Sequence, residues 1–156
     1  MAATAASISS PISSITLLQG AFSHYGFAAD YLGSGRDGIF RRTLTSGQLR
    51  GPIVVTHTRN DKVLRFAYAM ASRLARQTGA AIGRGHRDAY GAIGVNGALG
   101  TSEADDSTAL KETGFNYQFQ PGRIYNLRAD DYIPRHSRVT GKPVAYALLR
   151  AMMAGH

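Results

Sequence analysis

The stretch GPIVVTHTRNDKVLRFAYAMASRLA, residues 51–75, constrains the fold more than any other part of the chain. Ile53 to His57 is a short, buried-type run rich in β-branched residues and introduced by Gly51-Pro52, and it reads as a strand. After the polar turn Thr58 to Asp61 a helical pattern starts. Val63, Ala67, Met70, Ala71 and Leu74 recur at i, i+4, i+7, i+8 and i+11, which predicts one apolar stripe. Gly79 stands where a C-terminal glycine should end that helix. A strand running so directly into an amphipathic helix is the unit from which parallel sheets with packed helices are built.

The rest of the chain repeats this grammar. Met1 to Ser7 reads as the end of a helix, and Pro11 bars further helix. Ile15 to Gln19 (ITLLQ) predicts a strand buried on both faces. Gly20 to Gly51 is a long connection with too many aromatic residues (Tyr25, Phe27, Tyr31, Phe40) for a mere linker. Gly79 to Gly114 reads as a Gly-rich and then acidic surface excursion containing one short helical turn. Phe115 to Gln120 alternates aromatic with polar residues, so Phe115, Tyr117 and Phe119 should share an inward face, and Arg123 to Leu127 completes this second β region. KPVAYALLRAMMA closes the chain as a helix with Pro143 in its first turn and Val144, Ala147, Leu148 and Ala151 on its apolar face. The order predicts an α/β fold over residues 1–156 as a single domain: a parallel sheet of about three strands, packed helices and a Gly-rich insertion.

The absence of cysteine removes disulfides, thiolate metal sites and a cysteine nucleophile, and fits a cytoplasmic location. No apolar run approaches the roughly 20 residues a membrane span requires, so no membrane partner is expected. Lys and Arg outnumber Asp and Glu by 18 to 10, a formal charge of +8. The basic residues are spread out, with no Lys/Arg run longer than Arg41-Arg42, whereas phosphate-binding modules concentrate charge on one element. Nucleic acid is therefore not the expected partner.

In open parallel sheets, reactive groups collect beyond the carboxyl ends of the strands. Ser23 and His24 follow the first strand, Asp61 follows the second, and Asp130, Asp131 and His136 follow the third. A carboxylate after one strand and a histidine after a later one can converge on one edge, where the acid orients the imidazole and stabilises its protonated form. Locally, Asn60 and Asp61 also sit where a helix N-cap is wanted, and His136 taken alone reads as a surface histidine. Ser23 lacks the close glycines of a nucleophile elbow. The Gly-rich segments GRGH and GAIGVNG follow a helix rather than joining a strand to one, so they match no nucleotide fingerprint. His57 and the pair His86 and Asp88 lack metal-ligand spacing. No cofactor is expected.

Together these pieces resemble the C-terminal half of an α/β-hydrolase of the serine esterase and lipase type. GPIVVTHTRNDKVLRFAYAMASRLA looks like the seventh strand, the acid-bearing turn and the following helix; ISSITLLQGAFSHYGF looks like the strand before it; DYIPRHSRVTGKPVAYALLRAM looks like the histidine loop and last helix. The resemblance implies that Asp61 is the triad acid and His136 the general base. The link between them is longer than is usual in that family. The family's G-x-S-x-G elbow occurs nowhere in the 156 residues.

Three functions follow as expectations. The first is a hydrolase-like domain that carries the acid and histidine of a Ser-His-Asp triad, takes a small ester or acyl substrate and is inactive as this chain alone. The second is a non-catalytic interaction protein, a homo-oligomer or a partner for a complementary half-fold, because a half-sheet leaves an edge and an apolar face uncovered. The third, which the spread of the basic residues argues against, is a basic nucleic-acid binder.

Overall fold

The structure is a computed structural model that describes residues 11–77 and 91–155. Met1 to Ser7, Gly79, GRGH and the pair His86 and Asp88 lie outside the described residues.

Four parallel strands form one sheet in the order β1-β2-β4-β3: β1 (Ile15–Leu18), β2 (Ile53–His57), β3 (Thr108–Ala109) and β4 (Ile124–Arg128). Ile53 aligns with Ile15 on one side and with Ile124 on the other, so β2 is the central strand. All five of its residues are buried, as a strand covered on both faces must be. The helices are α1 (Arg41–Thr45), α2 (Lys62–Gln77), α3 (Ile93–Asn96) and α4 (Lys142–Met153).

The pleat sends alternate residues of β2 into two cores. Val54 packs with Leu127, Tyr117, Phe119, Ile133 and the α4 face of Val144, Ala147 and Ala151. Ile53 and Val55 pack with Ile124, Phe27, Ile93 and Ala98, and Phe22 and Phe40 from the first long connection close over them. That connection is therefore a covering layer and not a linker.

Several expectations need correction. β1 is an edge strand whose residues are half-buried or exposed, because among the described residues only β2 pairs with it. Phe115 to Gln120 forms no strand. Its alternation still turns Tyr117 and Phe119 inward, while Phe115 stays 46 % exposed. The excursion contributes the fourth strand, Thr108–Ala109, beyond the three expected. Its segment 91–98 is not surface but core: Gly91, Ala92, Ile93, Gly94, Gly97 and Ala98 are buried. The described part of the apolar stripe of α2 is bare, with Val63 61 % and Met70 49 % exposed and Ala67 and Ala71 exposed as well, while the side chain of Leu74 lies outside the described residues. The buried residue of α2 among those described is Leu64. Among the described residues α2 touches α3.

Candidate active site

Strand β2 ends at His57, and the turn Thr58 to Asp61 carries the chain across the carboxyl edge of the sheet into α2. Asp61 is fully buried. Its Oδ1 accepts the Leu64 N–H at 3.0 Å, the hydrogen bond of an N-cap to the third helical residue. Its Oδ2 lies 2.7 Å from Nδ1 of His136, 75 residues further along. One carboxylate thus both caps the helix and contacts the imidazole, one oxygen each. With its amide nitrogen turned to the same oxygen, Gln19 donates to Asp61 Oδ2 at 3.2 Å and to Gly94 O at 2.9 Å.

The carboxylate accepts only, so Nδ1 of His136 carries the proton and Nε2 of the neutral ring presents a lone pair. The side chain of His136 is 40 % exposed, and Nε2 has no hydrogen-bond partner among the described residues. A buried acid, a bridging imidazole and an open second ring nitrogen are the arrangement of a general base oriented by a carboxylate.

The histidine loop is fastened to the acid turn by hydrogen bonds. Asp130 Oδ1 accepts from Thr58 Oγ1 and from the Arg59 N–H, both at 2.8 Å, and Asn60 Nδ2 donates to Asp130 O at 2.7 Å and to Ile133 O at 3.3 Å. Burial pushes the Asp130 carboxyl up, but these hydrogen bonds and the charges of His57 and Arg128 outweigh it and hold it below its ordinary value. Asn60, a candidate cap by sequence, is a clamp on this loop instead.

Other candidates fall elsewhere. Ser23 Oγ accepts the Tyr25 N–H at 3.2 Å in a local turn, and His24 is fully buried with Nδ1 2.8 Å from Asn96 Nδ2. Asp131 is exposed. Among the described residues no group of three or more His, Asp or Glu side chains could hold a metal ion, and no helix is long and apolar enough to cross a membrane.

Sequence reasoning missed Gln19 as a site residue. It ends the first strand with φ of +50°, a left-handed conformation rare outside glycine, and this aims its side chain back under α3. Gly94 allows the approach: a Cβ there would stand 2.6 Å from the Gln19 carbonyl carbon and 2.8 Å from Leu64 Cδ1.

Comparison of the chain with protein-family models, curated proteins and solved structures gives no match, so the reading of the site rests on its geometry.

Proposed function

We propose that Asp61 and His136 are the acid and the general base of an α/β-hydrolase-type site acting on a small ester or acyl substrate, with a serine nucleophile supplied from outside these 156 residues. The observation that carries the reading is the 2.7 Å contact between a fully buried carboxylate and Nδ1 of a part-exposed imidazole whose Nε2 stays open. The order of the elements and the resemblance of their sequences support it. An oriented histidine without a nucleophile cannot form an acyl intermediate, so the Asp61–His136 pair alone is inactive in this reading.

The test begins on the 156-residue chain labelled with nitrogen-15. Long-range proton–nitrogen spectra should report His136 protonated at Nδ1, and Asp61→Ala should abolish that preference. A wild-type ring protonated at Nε2 would refute the assignment. A chain extended by the in-frame sequence upstream of Met1 should then be labelled by a fluorophosphonate on a serine of the added segment, and the label at that serine should vanish in His136→Ala.

A second reading has its own observations. Phe66 is 69 %, Val63 61 % and Met70 49 % exposed on α2, and β1 has an unpaired edge among the described residues. These surfaces suit a second copy or a complementary half-fold. Light scattering should report an oligomer, and a monomer across the micromolar range would remove this reading.

A further inference from the structure

A second polar constellation gathers at His57, the last residue of β2, with Arg59 of the acid turn at its rim. It surrounds a cavity of about 400 Å³ that neither Asp61 nor His136 lines. His57 is its centre and is only 7 % exposed. Nδ1 of His57 is 3.3 Å from Val95 O, and Nε2 is 2.7 Å from Ser107 Oγ. The assignment of protons follows from the partners. A backbone carbonyl can only accept, so Nδ1 carries hydrogen; Nε2 of the neutral ring is then the acceptor, and the Ser107 hydroxyl must donate to it. Burial holds His57 below its ordinary value, against the opposing pull of Val95 O and Asp130 and in the same direction as Arg128 and Arg59, so the ring is neutral near pH 7.

We propose that Ser107 and His57 form a serine–histidine dyad, independent of the Asp61–His136 pair, which cleaves small carboxylic esters bearing an anionic group. Each part of an activated nucleophile is in place. The serine is hydrogen-bonded to its base, the base is oriented through its other nitrogen, Ser107 is exposed, and the bond faces a cavity with room for a small ligand. Arg59 and Arg128 also line the cavity, together with Asn96. Their guanidinium groups select the anionic substituent and favour the charge that develops on the carbonyl oxygen.

In the first step Ser107 Oγ bonds to the ester carbonyl carbon and its proton passes to His57 Nε2. Collapse of the tetrahedral species breaks the bond to the alcohol oxygen, which takes that proton from His57 as it leaves. Water then attacks the acyl-serine, giving one proton to His57. The serine oxygen departs with it, releasing the carboxylic acid and restoring the dyad. No oxidant or further reactant enters the balance.

The test treats the 156-residue chain with an alkyl fluorophosphonate: Ser107 Oγ bonds to phosphorus, fluoride leaves, and the hydroxyl proton goes to His57. Peptide mass mapping should place the adduct on Ser107. His57→Gln should slow its formation roughly 100-fold or more, the ordinary range for loss of a general base. An adduct on Ser107 separates this dyad from the hydrolase-type pair, whose serine lies outside the 156 residues. Circular dichroism checks that each variant is folded. Should His57→Gln unfold, Arg128→Gln provides the second reading: wild type should hydrolyse 4-nitrophenyl hemisuccinate faster than 4-nitrophenyl acetate, and the variant should lose that preference. The proposal is overturned by no adduct on Ser107 in wild type, by an adduct on another serine instead, by an equal rate in folded His57→Gln, or by no preference for the anionic ester.

Discussion

Removing the Asp61 carboxylate tests whether one side chain both caps α2 and holds the histidine loop. In Asp61→Ala the cap to Leu64 N–H disappears, which costs about 1 kcal/mol. The bond to His136 disappears as well; a hydrogen bond to a charged group is worth about 1.5–3 kcal/mol, and the low end applies because His136 is part-exposed and water can replace the acid. Gln19 is 3 % exposed and keeps Gly94 O while losing its second acceptor, so about 1 kcal/mol more is lost. The sum is about 3–4 kcal/mol. At roughly 2–4 °C per kcal/mol for a chain of this size, the melting temperature should fall by about 6–16 °C. Serine is an equally good N-cap, so Asp61→Ser should recover about 1 kcal/mol of the loss and nothing of the histidine contact. His136→Ala leaves the buried carboxylate with fewer donors, and in a double-mutant cycle with Asp61→Ala the two sites should couple by about 1–2 kcal/mol. Urea unfolding followed by circular dichroism gives all four values. A loss in Asp61→Ala no larger than the cap alone, or additivity within about 0.3 kcal/mol in the cycle, would refute the dual role.

Further outcomes follow from the same geometry. Arg41 grips Glu103 with two hydrogen bonds of 2.8 and 2.7 Å and holds its carboxyl at about 2, against an ordinary 4.5. The folded value lies below the unfolded one, so this stability is present above pH 4.5 and is lost as pH falls toward 2. Discounted for the part-exposed setting it is about 1–2 kcal/mol, and acid titration of wild type against Glu103→Gln should read that difference. The buried His57 shifts the same way: its folded value is lowered, so stability should fall as pH drops below 6.5, and a flat urea midpoint between pH 7.5 and 5.5 would contradict the burial of that ring. Gly94→Ala should cost about 1–3 kcal/mol, because the added methyl meets Gln19 backbone and Leu64; a wild-type midpoint would mean that α3 is looser than this packing requires.

Local pattern decided more of the sheet than of the site. β2 lies at the residues its β-branched run marks, and the α4 residues Val144, Ala147 and Ala151 are buried at the positions their period assigns, because both patterns are read from neighbours in sequence. The same logic overestimated α2. Periodicity identifies which residues share a face but not whether anything covers it, and Val63 and Met70 are bare. Gly-rich 91–98 failed in the other direction: small residues look like surface loop, yet here the backbone at Gly91, Gly94 and Gly97 presses on His24, Gln19 and Asn126.

By itself the sequence determined that short strands alternate with helices, and it placed Asp61 and His136 on turns after strands where a sheet edge could collect them. Tertiary structure alone decided that the two meet across 75 residues, that Gln19 joins them, and that the two nitrogens of His57 meet Val95 O and Ser107 Oγ. The physical reason is the range of the forces that set each feature. Strand and helix patterns follow from backbone geometry within a few residues, whereas a hydrogen bond between distant side chains exists only after both cores of the sheet have packed and fixed the distance between its strand ends.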